Sequence, residues 1–178
     1  RARLKDGRET VIKIIKGNFK KSFLRDVDSV MAVFKTGIFF YPKLAKVFDP
    51  VGVLEEIKRY TLAELDLRNE LAGQKTLQAI KDKAVKKGYL MPWLKFPEIH
   101  PTLLGENIMC SQYLPGATFD ELLDAGKLSY EELLKLFKVH GYCMFCEGVF
   151  HGDIHPGNII YENGDIFFID TSAISTVS

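Results

Sequence analysis

Apolar and polar positions along the first part of the chain predict a small sheet interrupted by helices. Glu9-Thr10-Val11-Ile12-Lys13-Ile14-Ile15 is rich in β-branched residues and reads as a strand. Ala2-Arg3-Leu4 precedes it, and Lys5-Asp6-Gly7-Arg8 between them carries an Asp-Gly pair, so the two segments form a hairpin. From about Lys20 to Phe48 the pattern is helical, in one or two pieces, with Asp26 or Asp28 near a start and the Pro42 region as a break. From Leu54 to about Ala84 there is no proline, and Leu54, Ile57 and Thr61, or Leu62 and Leu65, recur at helical intervals; this reads as one long helix. Two short strands follow, Phe96 to Pro101 and Asn107 to Gly116, punctuated by Gly105-Glu106-Asn107, and they complete an antiparallel sheet.

Thr118-Phe119-Asp120-Glu121 and Ser129-Tyr130-Glu131-Glu132 both fit the capping-box pattern and place helix starts. The second of these helices runs to about Glu147, and its wide apolar surface, with Leu133, Phe137, Val139, Tyr142 and Phe145, suits a buried helix. Asn163-Gly164 between apolar runs predicts a tight hairpin whose second strand ends at Asp170. No internal repeat or low-complexity tract interrupts the chain.

Composition narrows the class without choosing a function. The 178 residues are 47% hydrophobic and 26% charged with a net charge of +1, which is ordinary globular balance, and no long basic run points to nucleic acid. Three cysteines in apolar settings suggest a reducing compartment. Cys143-x-x-Cys146 has a redox or zinc spacing, but without a second pair a buried helical pair is the better reading. The most apolar region, Val27 to Phe48, is interrupted by Lys35, Lys43 and Lys46 and by Pro42, so no stretch is expected to span a membrane. Lys16, Lys20, Lys21 and Arg25 read as a solvated basic turn, with an anionic membrane surface as the alternative partner. Arg1-Ala2-Arg3 carries no initiator methionine or targeting pattern, and the chain reads as part of a longer protein.

The chemistry concentrates in His151-Gly152-Asp153-Ile154-His155-Pro156-Gly157-Asn158 and in Asp170. Phosphoryl transfer needs a carboxylate near the acceptor hydroxyl and hard oxygen ligands for Mg²⁺ against the phosphates. Asp153 suits the first role, Asn158 and Asp170 the second, and the Asn-Gly hairpin returns Asp170 to Asn158. Lys13 inside its strand suits a phosphate-binding ammonium, although edge strands also carry solvent-facing lysines. On the long helix, Asp66 and Glu70 would share a face, with Glu64 about 120° from Glu70. These acids serve polar sites or pair in solvent with Arg68 or Lys75. His100 and His140 read as structural.

Ala-Arg-Leu-x-Asp-Gly-Arg leading into Val-Ile-Lys, then Glu64-Leu65-Asp66-Leu67-Arg68-Asn69-Glu70-Leu71-Ala72, then His-Gly-Asp-Ile-His-Pro-Gly-Asn together resemble the UbiB-type, or aarF-domain, atypical kinases across essentially the whole chain. The resemblance implies an α+β, protein-kinase-like bilobal fold, here partial. Residues 1–116 would be a small lobe with helical additions, ending in a hinge where Gln112 and Tyr113 meet a purine ring, and residues 117–178 the start of a helical large lobe. It implies ATP and Mg²⁺ or Mn²⁺ as cofactors, Lys13 on the phosphates with Glu70 as its ion-pair partner, and Glu64 and Asp66 as the Glu-x-Asp motif that engages an upstream Lys-x-Gly-Gln segment. It also implies a lipid or quinone-precursor ligand, peripheral membrane association, and a cytoplasmic, mitochondrial or plastid location. The sequence departs from the kinase pattern at Thr171-Ser172, where Phe-Gly is usual, so the usual packing switch is not expected. Two alternatives stay open: an aminoglycoside- or choline-kinase-like phosphotransferase, and a non-catalytic nucleotide- or lipid-binding scaffold.

Overall fold

The computed structural model describes residues 1–43 and 49–176. Strands β1 (Ala2–Arg3) and β2 (Glu9–Ile14) form the expected antiparallel hairpin. Its turn needs a left-handed residue, and Gly7 supplies it at φ 91° while the Asp6 carboxylate accepts the Arg8 N–H at 3.1 Å. β2 then pairs with β5 (Ile108–Gln112), which pairs with β4 (Ile99–Leu104), giving the order β1-β2-β5-β4. The β2–β5 register sets Lys13 opposite Met109. Behind this sheet Leu67, Ile99 and Met109 form a small core.

Three helices are threaded between β2 and the rest of that sheet. α1 (Phe19–Phe40) stops ahead of Pro42, as a helix must. It starts at Phe19, so Asp26 and Asp28 lie inside it and mark no helix start; Asp28 instead pairs with Lys58 at 2.7 Å. The remainder of the predicted helical stretch, residues 44–48, lies outside the described residues. α2 (Pro50–Glu64) begins with Pro50 at the first position and Asp49 accepting the Gly52 N–H at 2.9 Å.

The single long helix expected from Leu54 to Ala84 is two helices, α2 and α3 (Arg68–Lys86). No glycine or proline causes the break. Leu65 and Leu67 are both driven into the interior, and the Leu67 N–H leaves the helical ladder to donate to the Glu106 carbonyl at 2.9 Å. The Asn69 side chain caps the loosened end of α2 by donating to the Ala63 carbonyl at 2.6 Å. Glu64 and Glu70 therefore belong to different helices, and their angular relation is set by the break between them.

The larger core gathers Leu77, Ile80 and Ala84 of α3 with residues from the second half of the chain. These include Phe119 at the start of α4 (Phe119–Asp124), Val139, Tyr142 and Cys143 of α5 (Tyr130–Glu147), and the inward side chains of β8 (Ile159–Glu162) and β9 (Asp165–Phe168). Both helices start in complete capping boxes at Thr118 and Ser129. β8 and β9 are joined by the predicted hairpin, with Asn163 and Gly164 at φ 52° and 91°. β3 (Leu94–Lys95) adds in parallel to β9, and β6 (Ala117–Thr118) pairs with β8. β7 (Val149–His151) pairs with β10 (Ile174–Thr176).

Two expectations about α5 are corrected. It is buried along one stripe only, because Phe137 and Phe145 on the other side are 72% and 82% exposed. Cys143 and Cys146 do not form a buried pair. Cys143 lies in the core, where burial pushes its thiol up to about 11, while Cys146 is exposed. His100 sits inside β4 and is buried.

Candidate active site

The site forms where three separate lengths of chain meet. β2 carries Lys13, the first turn of α3 carries Glu70, and the end of β9 delivers Asp170. Lys13 Nζ pairs with Glu70 Oε1 on one side and with Asp170 Oδ2, at 2.9 Å, on the other. Burial alone would lower the Lys13 pKa, but the Glu70 bond and charge, followed by those of Asp170, hold it above its ordinary value. Asp170 is likewise penalised by burial, yet Lys13 and Ser172 hold its carboxyl below the usual range. Burial pushes the Glu70 carboxyl up, with Lys13 and the Thr171 N–H pulling against it. The ammonium is therefore fixed and charged between two carboxyl groups.

Thr171 is a part of this site whose role the sequence did not disclose. Its N–H donates to Glu70 Oε2 at 2.7 Å and its hydroxyl donates to the Glu70 carbonyl at 2.7 Å, all within the interior. A residue that departs from the kinase pattern thus latches α3 to the strand end that holds Asp170. Gly73, one turn along α3, permits the approach: a Cβ there would stand 1.8 Å from the Thr171 carbonyl oxygen. Ser172 fixes the other Asp170 oxygen, donating from its hydroxyl to Oδ1 at 2.8 Å.

The loop after β7 supplies Asp153 and Asn158. His151 joins this loop to Asp170, accepting the Asp153 N–H on Nδ1 at 3.2 Å and donating from Nε2 to the Asp170 carbonyl. With Nδ1 an acceptor, the ring is neutral, and burial lowers its pKa accordingly. Its position beside Asp153 in His-Gly-Asp was the available signal for that role. Asn158, at the end of a 3₁₀ turn (Pro156–Asn158), donates from Nδ2 to the Asp153 carbonyl at 3.1 Å and to Asp153 Oδ2 at 3.2 Å. Its own carbonyl accepts the Ile169 N–H at 3.1 Å, which sets Asp170 beside it.

Lys13, Asn158 and Asp170 line a cavity of about 380 Å³ between the first sheet and the β8–β9 hairpin. Gln112 and Tyr113 line it too, together with Leu114. Asp153 lies on a second cavity of about 290 Å³, with Glu64, Tyr60 and Phe150. Burial, then the charges of Asp153 and Asp170, push the Glu64 carboxyl up. Asp66 is not brought into either cavity. It sits in the α2–α3 break, closing a turn onto the Arg68 N–H and pairing with the Arg68 guanidinium at 2.6 Å. The pairing with Arg68 foreseen for these acids is thus realised by Asp66 alone.

Among the described residues no group of three or more His, Cys, Asp or Glu side chains is arranged to hold a metal. The Asn158 amide oxygen and the Asp170 carboxylate nevertheless make a hard-oxygen donor pair on one cavity wall. That set fits Mg²⁺, which takes one or two protein ligands and completes its shell with water and phosphate oxygens.

Residues 1–178 match the ABC1 atypical kinase-like domain along their whole length. A probable protein kinase UbiB of Vibrio cholerae is 27% identical over 99% of the chain, which covers 33% of that protein. An uncharacterized protein in the hydrogenase 1 5' region of Clostridium pasteurianum is 26% identical over 98% of the chain and 32% of that protein. The chain thus spans about a third of the length of these relatives. Among solved structures, the Rv3197–erythromycin complex from Mycobacterium tuberculosis aligns with a TM-score of 0.65 at 22% identity, over 97% of this chain and 42% of that one. That likeness is one of fold.

Proposed function

The chain belongs to the ABC1 atypical kinase-like family, and on that premise we propose that it carries the nucleotide site of an ATP-dependent phosphotransferase or ATPase of UbiB type. The observation that supports this reading above others is the convergence of Lys13, Glu70, Asp170, Asn158 and Asp153 from distant parts of the sequence onto adjoining cavity walls. On this reading the adenine lies against Gln112 and Tyr113 and the phosphates reach Lys13, whose charge Glu70 holds in place. Asn158 and Asp170 would hold Mg²⁺ or Mn²⁺, which supplies neutralisation of phosphate charge when bound.

Asp153 accepts the proton of the attacking hydroxyl as its oxygen bonds to the terminal phosphorus and the bridging oxygen departs with ADP. The Asn158 amide aims that carboxylate, and His151 ties it to Asp170. If the attacking hydroxyl belongs to water, the same step is ATP hydrolysis. The cavity shared by Asp153 and Glu64 is the place for the acceptor, which we assign to lipids or quinone precursors from the resemblance to UbiB-type kinases. No described helix is long and apolar enough to cross a membrane; peripheral contact with such acceptors is proposed from the same resemblance.

The test is thermal unfolding with ATP and Mg²⁺ or Mn²⁺ in wild type, Lys13→Met and Asp170→Asn. A ligand that binds only the folded chain raises the midpoint. A metal-dependent rise in wild type that shrinks in both variants is expected. A folded wild type with no rise at saturating nucleotide would instead favour a scaffold without nucleotide.

A further inference from the structure

A further groove lies along α3, between that helix and the Lys95–Ile99 run leading into β4, with a volume of about 530 Å³. Its polar lining holds three cations, Lys75 and Lys81 from α3 and Lys95 from β3, beside Gln74, Gln78 and Glu98. Among the described residues none of the three is in an ion pair; Lys75 is exposed, whereas Lys81 and Lys95 are half-buried, a setting in which most other charges of the chain are paired. Lys81 is half-buried, its ammonium held by the Leu94 carbonyl at 2.5 Å. Burial, followed by repulsion from Lys95, lowers its pKa, while Asp82 and Asp165 act on it only through their more distant charges. Asp82 accepts from Gln78 at 2.8 Å, and Glu98, a carboxylate in the lining, is exposed and lies 3.9 Å from His100 Nδ1. The floor is apolar, from Phe96 and Pro97.

We infer that this groove binds a small phosphate monoester. Ammonium groups that converge without carboxylate partners favour a dianion, lysine is a common phosphate ligand, and the apolar floor gives the organic part of the ester a place to lie. Its occupant would touch the helix that carries Glu70. Gln74, one turn beyond Glu70, already links α3 to the floor by donating to the Pro97 carbonyl at 2.6 Å. The groove is therefore placed to stiffen the setting of the Lys13–Glu70 pair, and it adjoins the nucleotide cavity at Pro97, which lines both.

The test titrates the protein with glycerol phosphate at constant ionic strength, reading the unfolding midpoint and the fluorescence of Trp93, the single tryptophan, which adjoins β3. A saturable change is expected in wild type and in Lys13→Met, with at least tenfold weaker binding in Lys81→Gln and in the double variant Lys75→Gln/Lys95→Gln. The double variant leaves the Leu94 contact intact, so it separates lost binding from lost folding. A response no greater than that of matched chloride, one that survives in the groove variants, or one abolished by Lys13→Met overturns the assignment. Vesicles of phosphatidylcholine with and without phosphatidic acid identify the source: saturable binding to the former only, lost in the double variant, assigns the phosphate to a lipid headgroup. The Lys13→Met arm keeps this outcome independent of whether nucleotide binds.

Discussion

At the scale of single residues, the site depends on a charge arrangement that neutral substitutes cannot reproduce. Asp170 titrates below its ordinary value in the folded chain, so the unfolded chain takes up its proton first as pH falls. The stability it contributes is complete above about pH 4, the unfolded value, and is lost as pH drops through the lower folded value. Unfolding free energies of wild type and Asp170→Asn should therefore run parallel above about pH 5 and converge as pH falls below about 4, and curves that stay parallel through that lower range would show that Lys13 does not hold this carboxylate. Thr171→Val keeps the volume but removes the hydroxyl that the Glu70 carbonyl accepts in the interior. We expect a loss of about 1–3 kcal/mol in denaturant unfolding, with weaker nucleotide binding beside it. Thr171 shows what a single sequence conceals. Its role comes from a partner 101 residues away, whereas Asp153, Asn158 and Asp170 stand in a local pattern from which the chemistry proposed for them could be read.

Among the elements, those specified by neighbouring residues were legible and those specified across the fold were not. The Asp-Gly and Asn-Gly hairpins and both capping boxes are closed by groups within a few residues of each other, and they form as read. The α2–α3 break is made by the Glu106 carbonyl in another part of the fold, so a helical pattern without proline ran straight through it. The break matters because it frees α3 to present Glu70 to Lys13 while α2 presents Glu64 to the Asp153 cavity. Gly73 is the point at which α3 is fixed against the Thr171 segment. Gly73→Ala adds a carbon that meets backbone, not a side chain that could rotate aside, so α3 must move away and carry Glu70 with it. This variant should lose about 1–3 kcal/mol of stability and most of its nucleotide-induced midpoint rise. An alanine variant that retains the full rise would mean that Glu70 is held independently of that contact.

In the whole molecule, α3 belongs to both halves. Its first turn closes the Lys13 site beside the small core of Leu67, Ile99 and Met109, and Leu77, Ile80 and Ala84 are built into the large one. The kinase-like fold could be read from motif order, but this sharing could not, because the helix's apolar stripe does not say which sheet it will face. Sharing one helix should make the two sheets unfold together. Leu77→Ala, at a nearly fully buried position, is expected to cost about 3 kcal/mol and to weaken nucleotide binding even though Leu77 lines neither site cavity. Phe145→Ser, on the exposed side of α5, removes no comparable burial and should change stability by no more than about 0.5 kcal/mol. Denaturant curves read by Trp93 fluorescence and by backbone circular dichroism should coincide in wild type and in both variants. Separate transitions would mean that α3 stays folded on the large core after the first sheet has come away, and that the Lys13–Glu70 pair opens without global unfolding.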